Sequence, residues 1–97
     1  MRYNELKLRS LAIFEQNGPL NPPVWAARAG FYPIRASYTY LMRLHGFGLL
    51  RRGRDGRGRI TYALSARGRR RLAWLRASLS TALRRASLEW SQQVGQA

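Results

Sequence analysis

The chain has no cysteine, a single histidine (His45), a single lysine (Lys7), and only four acids: Glu5, Glu15, Asp55 and Glu89. Without cysteine there are no disulfides, no thiol catalysis and no thiolate metal site. The four carboxylates and the lone imidazole are scattered along the sequence. They offer no acid–base pair, no nucleophile beside its base and no metal-ligand spacing. Neither catalysis nor a metal nor a cofactor is expected, and His45 reads as a favourable charge near a helix C-terminus or as plain surface. No apolar run approaches the ~20 residues that span a bilayer. The first residues lack the apolar segment of a secretory leader. The expectation is an intracellular protein, cytoplasmic and nucleoid-associated, that makes no use of a membrane.

What is abundant is arginine. Eighteen basic residues against four acids give a net charge of +14 and a pI near 11.9. A GC-rich genome favours arginine over lysine, but that bias does not remove acids. Such a field attracts polyanions, so DNA, RNA and anionic membrane surfaces are the natural partner classes. At 97 residues and 45% hydrophobic content, the chain makes one modest folded domain.

Local signals divide it into elements. Residues 4–16 carry Leu8, Leu11 and Phe14 on one side, with Leu6 and Ile13 nearby, and predict a first helix that Asn17-Gly18-Pro19 ends. Asn21 offers a capping oxygen, and Pro22-Pro23 suits a first helical turn, where proline's missing N–H is not needed. A short second helix follows and stops at Gly30. A third, over residues 33–45, turns Ser37, Leu41, Leu44 and in part Tyr40 inward. Two helices joined by a tight glycine-containing turn form a helix-turn-helix pattern.

Residues 48–64 then read as strand, turn and strand. Asp55-Gly56 is assigned the φ > 0 geometry of a tight hairpin, and Ile60-Thr61-Tyr62 suits a strand. Five arginines lie between Arg51 and Arg59, more than solubility requires. Arg51 and Arg52 alternate faces of the strand, so only one readily joins a given surface. Ser65 caps a fourth helix running to about residue 93. Its stripe of Leu72, Leu75, Leu79, Leu83, Ala86 and Trp90 falls within a narrow arc. Some 27 helical residues span roughly 40 Å, more than a domain this small covers alone. A second row at Trp74, Thr81 and Leu88 suggests that the distal half, Trp90 included, meets another copy. The organisation expected is a core over residues 1–66, a packing and dimer-forming helix over 67–93, and a tail over 94–97.

Three helices, a hairpin and a trailing helix, in this order, resemble the winged helix-turn-helix domain of bacterial and archaeal transcriptional regulators. Leu41-Met-Arg-Leu44 followed by Gly48-Leu-Leu-Arg-Arg52 is similar to a recognition helix entering the first wing strand. Ile60-Thr-Tyr-Ala-Leu-Ser-Ala-Arg-Gly-Arg70 is similar to the second strand and its Tyr-x-Leu-Thr-x-x-Gly-Arg pattern, with Ser65 keeping the capping hydroxyl. Asn17-Gly-Pro-Leu20 with Trp25-Ala26 matches the link into the second helix. The MarR- and PadR-like families are closest in pattern, the ArsR type less so. The resemblance implies a mainly α fold with a small β-hairpin, and a homodimer that binds double-stranded DNA. It is silent on any small-molecule effector.

In that arrangement the second helix of the motif enters the major groove. Its groove side holds Arg35, Ala36, Tyr38, Thr39 and Arg43, with Met42 at the margin. Arg35 suits guanine O6 and N7, Tyr38 and Thr39 suit a phosphate or base edge, the Thr39 methyl can also meet thymine, and Arg43 suits a phosphate. Arg52, Arg54, Arg57 and Arg59 of the hairpin suit a narrow minor groove or the backbone. Arg67, Arg69, Arg70 and Arg71 oppose the dipole of the last helix, at a cost of about 0.3–1 kcal/mol each. Two other readings stay open: a winged helix used for protein–protein contact, and an RNA-binding protein using charge and stacking.

Overall fold

Capping chemistry sets several of the element boundaries. In the computed structural model, which describes residues 3–95, α1 spans Tyr3–Asn17, and Gly18 leaves it with φ +73. Asn21 caps α2 (Pro22–Ala29): its Oδ1 accepts the Val24 N–H at 3.0 Å. Gly30 ends α2 in the left-handed region at φ 66, where a side chain would be strained. The Tyr32–Pro33 peptide is cis, and α3 follows over Ile34–Gly46. β1 (Leu50–Arg54) and β2 (Ile60–Leu64) pair antiparallel, with Arg52 opposite Tyr62 and Arg54 opposite Ile60. Leu20 bridges to the free side of β2 through two backbone bonds with Tyr62, of 3.0 and 2.9 Å. The hairpin base is thereby tied to the α1–α2 link.

The last helix, α4, covers Ala66–Gly95. Its side chains are described through Thr81 and at Arg84 and Arg85. Ser65 starts it as expected: its Oγ accepts the Gly68 N–H at 2.9 Å and donates to the Gly48 carbonyl at 2.6 Å. One hydroxyl thus joins the end of α3 to the start of α4. Gly68 packs so closely that a Cβ there would fall on the Leu49 carbonyl oxygen.

The core gathers Leu11, Phe14, Trp25, Ala26, Leu41, Leu44, Leu50, Tyr62, Leu72 and Leu75. At its centre is Trp25, fully buried. Its ring lies 6.2 Å from Phe14, 5.3 Å from Phe31 and 5.7 Å from Tyr40, so one indole joins α1, α2 and α3. Such ring pairs add about 0.5–1.5 kcal/mol each beyond area burial. Its Nε1 donates to the Ser10 carbonyl at 3.4 Å. Ser10 and Lys7 are buried on α1, which the apolar spacing did not reveal. Ser10 Oγ turns back to the Leu6 carbonyl at 2.7 Å, and the Lys7 ammonium sits 5.8 Å from the Phe47 ring centroid. On α4, Leu72 and Leu75 are buried and Leu79 half-buried. Arg76 pins α4 to α1 through a two-pronged ion pair with Glu15, at 2.8 and 3.2 Å. The side chains of Leu83, Ala86, Leu88 and Trp90 lie outside the described residues.

Candidate nucleic-acid interface

Ser37, Leu41 and Leu44 face inward from α3, as the spacing predicts. The exposed side carries Arg35, Tyr38, Thr39 and Arg43. Ala36 is half-buried and lines a hollow of about 370 Å³ with Phe31, Thr39, Tyr40 and Arg43. Met42, expected at the margin of this side, is itself exposed. At 55% exposure it is more open than Tyr38 at 49%, and Ile34 is exposed as well. The helical period shows why: Met42 lies one turn beyond Tyr38 and two beyond Ile34, and Leu41 and Leu44 already fill the inward arc.

The hairpin turn differs from its sequence reading. Gly56 is not the left-handed residue; Gly58 is, with φ +80. The connection is not a tight turn but a loop over residues 55–59, closed by Asp55 N–H to the Arg59 carbonyl at 2.9 Å. Asp55 organises it from the side chain, since one carboxylate oxygen accepts the N–H groups of Arg57 and Arg59, both at 2.9 Å. Those bonds, that from the Arg59 backbone foremost, hold the Asp55 carboxyl below its ordinary pKa. Asx-type bonding of this kind lets a longer loop keep one shape.

The wing arginines therefore divide by role. Arg59 Nε pairs with Asp55 at 3.0 Å, and Arg54 donates to the Gly58 carbonyl at 2.7 Å. Both brace the loop. Arg57, at the tip, is exposed, and no hydrogen bond or ion pair engages its guanidinium among the described residues. Arg51 and Arg52 are both exposed, on opposite faces of β1.

Tyr38 of α3 and Arg59 of the wing border one hollow of about 490 Å³, floored by Pro22, Pro23, Val24 and Ile60. The fold thus brings the third helix and the hairpin to a shared concave side. The start of α2 on this side has no backbone donor to spare. Pro22 and Pro23 carry no N–H, Val24 N–H is held by Asn21 Oδ1, and Trp25 N–H by the Asn21 carbonyl.

The remaining sites are elsewhere. Arg67, Arg70 and Arg71 line a different hollow, of about 360 Å³, with Trp74. Trp74 is 55% exposed with the Arg71 guanidinium 5.6 Å from its ring centroid, and Thr81 is exposed with its hydroxyl bonded to the Ala77 carbonyl. His45 is half-buried, edge-on to Tyr62 at 6.1 Å, rather than on the open surface.

Solved structures share this architecture. A probable transcriptional regulator from Pseudomonas aeruginosa superposes with a TM-score of 0.72 at 23% identity, over 84% of this chain. The YusO protein from Bacillus subtilis superposes with a TM-score of 0.75 at 19% identity, over 95% of this chain and 74% of its own. A MarR-family transcriptional regulator from Silicibacter pomeroyi gives 0.65 at 24% identity, over 92% of this chain and 68% of its own. The fold is a winged helix-turn-helix. In it, α2 and α3 form the helix-turn-helix and β1–β2 the wing. The winged helix here spans 62% of the length of the Pseudomonas regulator. No protein-family model matches the sequence, and no curated protein matches it significantly.

Proposed function

We propose that this winged helix is a sequence-specific, double-stranded DNA-binding transcriptional regulator. The observation that carries the reading is the common concave side bordered by Tyr38 and Arg59, on a chain of net charge +14. In the proposed complex α3 lies in the major groove, with Arg35 donating to guanine O6 and N7 and Tyr38, Thr39 and Arg43 on base edges or phosphate. The wing lies over the adjacent minor groove or backbone with Arg57 foremost and Arg52, Arg54 and Arg59 behind it. Because α2 has no free N–H at its start, phosphate contact beside α2 falls to side-chain guanidinium groups rather than to that helix's terminus.

A homodimer completes the proposal. The 30 residues of α4 extend roughly 45 Å at 1.5 Å per residue. The exposed Trp74 and Thr81 start the row that, with Leu88 and Trp90, would meet a second copy. Two α3 helices would then read half-sites about one turn, ~34–36 Å, apart.

Selection from a randomised duplex pool, with single strands, structured RNA and anionic vesicles as competitors, tests the function. An enriched palindromic duplex that resists these competitors is the expected result. Preferential loss to RNA or to vesicles contradicts it.

A further inference from the structure

The exposed side of α3 consists of two rows, each with a four-residue step: Arg35, Thr39 and Arg43, and Ile34, Tyr38 and Met42. The second row is apolar or aromatic, with exposures of 42%, 49% and 55%. A single exposed apolar residue needs no explanation. Three successive ones on the outer side of one helix, beside a cationic row, form a continuous surface that the core does not use. The floor of Pro22, Pro23, Val24 and Ile60 extends it from Tyr38 toward the wing.

What α3 lacks sharpens the point. Its thirteen residues include no Asn, Gln, Asp or Glu. Adenine is read in the major groove by a bidentate amide, and the cytosine amino group by a carboxylate. Neither is present. Arg35 can read guanine, whereas hydroxyls such as those of Thr39 and Tyr38 bond either kind of base edge and discriminate weakly. His45 is turned toward Tyr62. What distinguishes an A·T pair to such a helix is the thymine C5 methyl, which is recognised by apolar contact.

We infer that the row Ile34, Tyr38 and Met42 reads thymine methyl groups, making α3 selective for duplexes with thymines at defined positions opposite it. Met42 is the most exposed of the three, and its unbranched thioether adapts to a small apolar partner. This inference rests on the duplex-binding function proposed above and adds the chemical identity of the bases read.

Replacing thymine by deoxyuridine removes only the methyl group. In the selected duplex, one such replacement at a time should weaken binding at one or more positions, by about fourfold for each contacted methyl, the worth of one buried carbon. At one of these positions the loss should vanish in Met42→Ala, an exposed substitution outside the core. If the selected duplex is preferred but no uridine replacement changes its affinity, the methyl assignment is overturned while DNA binding stands. Uridine losses that persist in Met42→Ala, Tyr38→Ala and Ile34→Ala alike would also overturn it. A protein that binds no duplex overturns both readings.

Discussion

The Asp55 carboxylate holds the wing in shape around Arg59: it accepts that residue's backbone N–H at 2.9 Å and pairs with its Nε at 3.0 Å. In a chain with four acids, one of them is thus placed among the wing arginines, where simple attraction to a polyanion would exclude it. Charge and shape therefore make opposite predictions. Asp55→Ala raises the net positive charge, yet it releases the N–H groups of Arg57 and Arg59. If loop shape governs, its affinity for duplex DNA falls several-fold in a filter or polarisation titration; tighter binding would show that charge alone matters.

The same carboxylate gives the wing a pH dependence. Its pKa is depressed in the folded chain, first by the backbone bond from Arg59. A depressed acid contributes order that is complete above its ordinary value of 3.8 and is lost as pH falls through the lower, folded one. The Arg57 and Arg59 amides should exchange slowly down to that range and lose protection below it. Unchanged protection in more acid solution would mean the loop does not depend on Asp55.

Gly68 tests the packing of α4 against the wing base. An alanine Cβ would meet the Leu49 carbonyl oxygen, and because that oxygen also accepts the Ser65 N–H at 3.1 Å, it cannot move freely. Gly68→Ala should cost about 1–3 kcal/mol or more, the range for overpacking, although alanine favours helix by about 1 kcal/mol over glycine. Glu15→Gln, at an exposed ion pair, should cost less than about 1 kcal/mol. Denaturant unfolding of the two variants checks the order.

Much of the fold is readable from short-range chemistry. Asn21 before two prolines, Gly30 after α2 and Ser65 before α4 each act within a few residues of themselves, so the sequence displays both cause and effect. Features set by tertiary packing are less visible. Lys7 and Ser10 are buried because Phe47, Leu6 and Tyr40 receive them, partners that a helical period does not disclose. In the wing, Asp55-Gly56 resembles a two-residue turn, and only the reach of the Asp55 side chain to residue 59 shows a longer loop with Gly58 as its left-handed member. The candidate site was legible in composition more than in role. Arg54, Arg57 and Arg59 look alike in sequence, whereas the structure separates two braces from one open cation.

The dimer proposal has a direct hydrodynamic consequence. Sedimentation at tens of micromolar should give a dimer mass, and Trp74→Glu should shift it toward monomer if that ring belongs to the contact. A wild-type monomer at that concentration would remove the dimer and with it the expected half-site spacing.

Arginine-borne phosphate contact predicts steep salt dependence. With six to ten phosphates neutralised, affinity should drop ~10³–10⁵-fold between about 50 and 200 mM salt. A shallow dependence would mean that few guanidinium groups reach the backbone.

The most direct test compares Arg35→Ala and Arg57→Ala on the selected duplex and on random duplex at fixed salt. The account predicts that the α3 variant loses affinity for the selected duplex, by about 1–3 kcal/mol, and little for random DNA, while the wing variant loses affinity for both alike. Equal losses on the two duplexes for both variants, or none for either, would contradict a surface that reads bases with α3 and holds the backbone with the wing.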